Sequence, residues 1–149
     1  MMEVSQKTRY ALRAMFELAK QYGQGPVRIS DIAQRQAIPP RFLEGILNQL
    51  RQAGLLRSVR GARGGYELAD DPGSVSVGDM IRVIEGPIAP TACVNDENPE
   101  DCPLFGDCVF LPMWKRAADA LSKVYDGTTF EDLVKLEQEH SVESLTYCI

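Results

Sequence analysis

Cys93, Cys102 and Cys108 lie within sixteen residues, spaced C-x8-C-x5-C. Thiolates hold iron–sulfur clusters and zinc alike, and three sulfurs leave one coordination position for another donor. The same trio would also serve disulfide exchange or thiol sensing. The surrounding stretch carries Pro87, Pro90, Pro99, Pro103, Gly106 and Pro112 and has neither helical nor strand periodicity. It therefore reads as a functional or disordered loop, able to bend three sulfurs toward one point. Donors for a fourth position are Cys148, His140 and Glu3, or an acid from a second subunit. Cys148 and His140 also read simply as an incidental terminal thiol and a surface histidine. Asp96, Glu97, Glu100, Asp101 and Asp107 surround the sulfurs, with no Lys or Arg between Cys93 and Cys108. That charge should lower the reduction potential of a bound cluster, making it easily oxidised or lost. It would equally suit a plain solvated loop.

A sensing centre needs something to control, and the first half of the chain supplies it. The 149 residues carry a net charge of −5, unevenly spread. Residues 1–70 hold eleven Lys/Arg against six Asp/Glu, or +5, and residues 71–149 hold five against fifteen, or −10. A polyanion meets a patch and not an average, so the basic half suits nucleic acid and the acidic half should face away. With 44% hydrophobic and 25% charged residues, the composition is that of an ordinary globular protein. No run approaches the roughly 20 apolar residues of a membrane span. The beginning, Met1 to Lys7, lacks the apolar core of a signal peptide, which makes the cytoplasm the expected location. There is no phosphate-binding loop or Ser/His/Asp set and only one histidine, which counts against an enzyme.

The pattern of elements gives these residues a frame. Ser5 is placed to cap a first helix with Tyr10, Met15, Leu18 and Ala19 on one stripe. Ser30 is the expected N-cap of a short second helix carrying Ile32 and Ala33. Pro39-Pro40 breaks it and opens a third, in which Leu43, Ile46, Leu47 and Leu50 recur at i, i+3, i+4 and i+7. Gly54 suits its C-terminal stop. Residues 55–59 and 66–69 read as short strands around the basic, glycine-rich turn Arg60-Gly61-Ala62-Arg63-Gly64-Gly65. Three helices followed by a hairpin is the order of a winged helix-turn-helix. Ser76 and Asp79 resemble a capping box for a connecting helix. A long helix through Trp114, Ala117, Ala118, Leu121, Val124 and Tyr125 follows the loop, then a short one from Thr129.

The expected organisation is thus a DNA-binding region at 1–70, a connecting helix at 71–86 and a cysteine-bearing sensor loop at 87–112. The long helix and a short terminal helix occupy 113–139, and a poorly ordered tail 140–149. The third helix turns Arg41, Glu44, Gly45 and Asn48 away from its apolar stripe. In a helix-turn-helix, residues so placed enter the major groove, where Arg reads guanine, Asn adenine, and Glu accepts from a cytosine amino group. Arg57, Arg60 and Arg63 on the wing, with Arg28 and Lys7, are candidate phosphate clamps. An ordinary solvated helix face and a hairpin kept soluble by its arginines would use the same residue types.

Arg9-Tyr10-Ala11, Ile29-Ser30-Asp31-Ile32-Ala33, Phe42-Leu43-Glu44 and the wing from Gly54 through Gly61-Ala62-Arg63-Gly64-Gly65 to Leu68 together resemble the Rrf2 family of bacterial regulators. The likeness extends over about residues 2–136. It implies a mainly α fold with a small β-hairpin wing, a winged helix-turn-helix followed by a long C-terminal dimerisation helix. It also implies a homodimer acting on double-stranded operator DNA as repressor or activator, with Glu44 in base discrimination and Arg60 near the DNA. Cluster-binding members carry three cysteines in this loop, so the resemblance implies a 2Fe-2S or 4Fe-4S cluster on Cys93, Cys102 and Cys108. The chain departs from the pattern in three places. Eight residues separate the first two cysteines, Leu111 stands where the iron–sulfur regulators carry a histidine, and Arg9 where the nitric-oxide sensors carry an acid. The alternatives are a regulator of the same type without a cluster, switched by thiol oxidation or a partner protein, and a winged helix that docks protein.

Overall fold

A computed structural model of the chain describes residues 3–95 and 101–147. The elements run α1 (Gln6–Lys20), α2 (Ile29–Gln36), α3 (Pro40–Gln52), β1 (Leu56–Val59), β2 (Gly65–Leu68), α4 (Val77–Glu85), α5 (Leu111–Asp126) and α6 (Phe130–Tyr147). The expected winged helix-turn-helix is present. In α1, the Ser5 side chain accepts from the Thr8 amide, and Ala11, Ala14, Met15 and Leu18 are buried. Helix α3 buries Leu43, Ile46, Leu47 and Leu50, as its period requires. Each such side chain contributes about 1.5–3 kcal/mol on leaving water.

Helix α2 departs from expectation at its start. Ser30 is not the cap: the helix begins at Ile29, with Arg28 in the cap position and no side-chain cap bond. Tertiary pairing explains the shift. Val27 forms a bridge with Tyr66, its amide donating over 2.8 Å and its carbonyl accepting over 2.9 Å. That bridge holds the chain extended up to Arg28 (φ −69°, ψ 147°), and the helix starts where the pairing stops. The turn from α2 to α3 places Ala37 at φ 51° and sends Ile38 into the core.

Strands β1 and β2 pair antiparallel, with Leu56 opposite Leu68 and Arg57 opposite Glu67. Two glycines permit the wing's close approaches. A Cβ on Gly65 would meet the Val27 carbonyl, and one on Gly64 the Val59 carbonyl.

The capping box at Ser76 and Asp79 forms in both directions. The starts of α4 and α6 are then knitted together: Val77 donates to the Thr128 carbonyl at 2.8 Å and Phe130 to the Val75 carbonyl at 3.1 Å. Phe130 is fully buried. Helix α5 takes Pro112 into its first turn instead of leaving it in the loop.

The tail expected from His140 is also helical, since α6 continues to Tyr147. The buried stripe fades there, leaving Val142 and Leu145 exposed, so apolar periodicity gave no signal. No Gly or Pro interrupts residues 130–147, and Ser141, Ser144 and Thr146 bond back to the carbonyls of Glu137, His140 and Val142. Among the described residues no helix is long and apolar enough to cross a membrane.

One carboxylate ties these helices together. Glu17 is 1% exposed on α1. It accepts from Arg35 at 3.1 Å and Gln36 at 2.9 Å on α2, and faces Lys20 at 3.6 Å, which also pairs with Glu137 of α6 at 3.3 Å. Burial acts to raise its pKa, but the hydrogen bonds from Gln36 and Arg35 and the charge of Lys20 outweigh it and hold the carboxyl below its ordinary value. A depressed carboxyl contributes its stability above the usual glutamate range and loses it as pH falls through the folded-state value. Glu17→Gln should therefore cost about 1–3 kcal/mol at pH 7. The gap to wild type should shrink toward pH 3 in urea unfolding, and a pH-independent gap would contradict the account.

Candidate nucleic-acid interface and cysteine site

Arg41, Glu44, Gly45 and Asn48 all lie on the exposed face of α3. The Arg41 guanidinium sits over the Phe42 ring, 4.6 Å from its centroid. Phe42 in turn stacks on Tyr10 of α1, with centroids 6.0 Å apart and planes at 25°. The Asn48 side-chain oxygen accepts from Arg51 at 2.8 Å, leaving its two amide N–H groups as donors.

The basic residues of the wing divide into two kinds. Arg28 donates to the Ala62 carbonyl at 2.8 Å, and Arg57 pairs across the strands with Glu67 at 3.3 Å. These two brace the hairpin. Arg60 and Arg63 are exposed at its tip and make no ion pair among the described residues. Lys7 is exposed near the start of α1. The exposed face of α3 thus carries residue types able to read bases, and Arg60 and Arg63 are cations without an ion pair among the described residues.

Sequence periodicity did not single out the residues that orient α3. Gln49 donates from its side chain to the Val83 carbonyl of α4 at 2.9 Å. At the end of α4, Glu85 accepts from the Ser5 amide at 3.2 Å and from the Thr8 hydroxyl. The Ser5 and Thr8 side chains hold the Glu85 carboxyl below its ordinary value. Helix α4 thus grips both α3 and the cap of α1. Both gripping residues are polar positions whose partners lie far away in sequence, so no local pattern marks them.

The cysteine segment begins immediately after Glu85. Its first part, with Pro87, Ile88 and Pro90, lines a cleft of about 270 Å³ together with Val4, Leu121 and Tyr125. Cys93 lies on a single 3-10 turn, Ala92–Asn95, packed against α5, and its sulfur is 2.8 Å from the Thr91 hydroxyl. The Cys102 carbonyl accepts from Phe105, and the Cys108 carbonyl from Leu111 at the start of α5. All three thiols are half-buried and none is in a disulfide. Among the described residues no three His, Cys, Asp or Glu side chains are gathered to hold one metal ion. The donor types suit an iron–sulfur cluster or zinc, while the three sulfurs are not drawn to one centre here. Asp96, Glu97 and Glu100 of the expected acidic surround, and Cys148, lie outside the described residues. His140 is an exposed residue on α6.

A family model described as Rrf2, iron-dependent transcriptional regulator, matches residues 4–136. The chain belongs to the Rrf2 family. It is 44% identical over 132 residues to the HTH-type transcriptional regulator CymR of Bacillus subtilis, covering 89% of each chain. The solved structure of that CymR, described as the global cysteine regulator of B. subtilis, superimposes with a TM-score of 0.76 at 42% identity, covering 91% of this chain and 98% of the other. T. potens IscR gives the same TM-score at 37% identity, covering 93% and 90%. The protein is thus a DNA-binding transcriptional regulator of the Rrf2 family and not an enzyme.

The Rrf2 wing depends on its glycine pair sterically. Gly65→Ala would force Val27 and Tyr66 apart and should destabilise by about 1–3 kcal/mol, as overpacking generally does. Thermal unfolding checks this, and an unchanged Tm would show that the wing tolerates the added carbon.

Proposed function

We propose that the chain acts in the cytoplasm as a homodimeric regulator on a near-palindromic DNA operator, with half-sites about one helical turn apart. The observation that carries this reading is the exposed polar face of α3 beside the uncommitted wing cations, on a winged-helix frame. Arg41, Glu44 and Asn48 face base edges in the major groove, where Arg distinguishes guanine and Glu accepts from cytosine. Arg60 and Arg63 on the wing and Lys7 at the start of α1 meet phosphates, while Arg28 and Arg57 set the shape of the wing. Helix α5 supplies the dimer contact. It carries Val124 at 64% exposure and Met113 at 48%, and buries only Ala118 within its own chain. Large apolar side chains left out on a long helix suit a partner surface.

Control resides in the cysteine segment. Cys93, Cys102 and Cys108 would hold a 2Fe-2S or 4Fe-4S cluster, which would supply a redox- and iron-responsive centre. The chain's own part is transmission. Ile88 packs partly against the core, and Glu85 and Gln49 link α4 to the cap of α1 and to α3. A change at the sulfurs is thereby delivered to the angle of the reading helix. Thiol oxidation without a cluster is the second reading, favoured by the likeness to a chain described as a cysteine regulator.

Two measurements test these readings. Arg60→Ala should weaken binding to all duplexes and lower the slope of log K against log salt by about one unit. Loss confined to one base pair with the slope intact would assign Arg60 to base reading instead. Protein purified without oxygen should be brown, with iron and sulfide in stoichiometric amounts, and should lose that colour in Cys93→Ala, Cys102→Ala or Cys108→Ala. Protein that stays colourless after anaerobic reconstitution with iron and sulfide would move control to the thiols.

A further inference from the structure

A groove of about 480 Å³ runs between the first turn of α1 and the first two turns of α3, lined by Gln6, Lys7, Tyr10, Phe42, Gly45 and Ile46, with Arg41 at its edge. Its floor is the stacked Tyr10–Phe42 pair. Phe42 is 46% exposed. No carboxylate lines the groove, and Lys7 and Arg41 are its charged members. Arg13 also stands over the Tyr10 ring at 5.2 Å. The positive end of the α1 dipole points to the same place. An apolar floor under a cationic rim, on the face that carries Arg41 and Glu44, is complementary to one strand of DNA. A phosphate meets Lys7 on the rim, and the deoxyribose with the C5-methyl of a thymine meets the rings, since phenylalanine is among the side chains that read that methyl.

Gly45 keeps the groove open. A Cβ built there meets nothing within 4 Å, so no packing in the folded chain requires a glycine. A glycine in a helix interior is unfavourable relative to alanine. The opening it leaves is where an incoming base edge would pass.

We infer that this groove is a thymine-reading subsite, in which Tyr10, Phe42 and Gly45 determine specificity for a thymine methyl next to the bases read by Arg41 and Glu44. The inference rests on the DNA-reading orientation of α3 proposed above. It predicts a dependence on one methyl group, which phosphate clamping alone does not produce.

The test uses the full-length protein and duplexes that it selects from a random-sequence pool. Each thymine of a selected site is replaced in turn by deoxyuridine, which pairs identically but lacks the methyl. One thymine per half-site should show a loss of about fourfold in affinity, the worth of one buried methyl. Gly45→Ala should fold with a Tm at or above that of wild type, bind the thymine site more weakly and lose the deoxyuridine effect at that position. Selected sites without a shared thymine, wild-type binding indifferent to every replacement, or a Gly45→Ala protein with the effect intact would each overturn the subsite while leaving DNA reading by α3 in place. A pool that yields no preferred duplex would instead overturn the DNA-reading assignment and the subsite with it.

Discussion

The buried carboxylate of Glu17 is the constraint on which the arrangement of helices depends. A charge removed from water is tolerated only where hydrogen bonds and opposite charges replace its hydration. Here the replacements come from Arg35 and Gln36 on α2 and Lys20 on α1. Lys20 extends the set to Glu137 on α6. Apolar packing of Met15, Leu18, Ile32 and Leu47 supplies most of the stabilising burial, but it is non-directional. The charge set is directional and fixes α2 on α1, and so the turn from which α3 departs.

From that fixed corner the site is assembled in two places. The Val27–Tyr66 bridge fastens the wing to the residues preceding α2, so its arginines keep a set position relative to the α2–α3 pair. On the opposite flank, α4 reaches α3 through Gln49 and the cap of α1 through Glu85. The cysteine segment leaves the end of that same helix, directly after the Glu85 that closes the clip between α1, α3 and α4. Arg82 of α4 also forms a two-pronged pair with Asp126 at the end of α5, at 2.6 and 2.9 Å. The cysteine segment, α5 and α3 therefore all connect to one nine-residue helix.

Much of the frame was legible because it is local or periodic. The α3 stripe, the Ser5 cap, the Ser76–Asp79 box and the hairpin around its glycines each follow from residue types at short spacings. The exposed reading face followed from the α3 stripe by subtraction, since what is not buried on an amphipathic helix faces outward. The start of α2 was not legible, because a strand bridge to Tyr66, 39 residues away, decides it. Nor was the end of α6, where the helix persists on polar residues without an apolar stripe to mark it.

The sequence by itself determined which elements form, which face of α3 is polar, and that three thiols stand in one irregular segment; these are consequences of side-chain chemistry and short-range spacing. Only the tertiary structure decided which cations are spent. Arg28 and Arg57 brace the wing while Arg60 and Arg63 stay free of ion pairs among the described residues. It also decided that Tyr10 and Phe42, 32 positions apart, form one aromatic floor beside the reading face. The reason is physical: a side chain's chemistry is written in its type, but its availability depends on neighbours that only long-range packing brings within hydrogen-bonding or stacking distance.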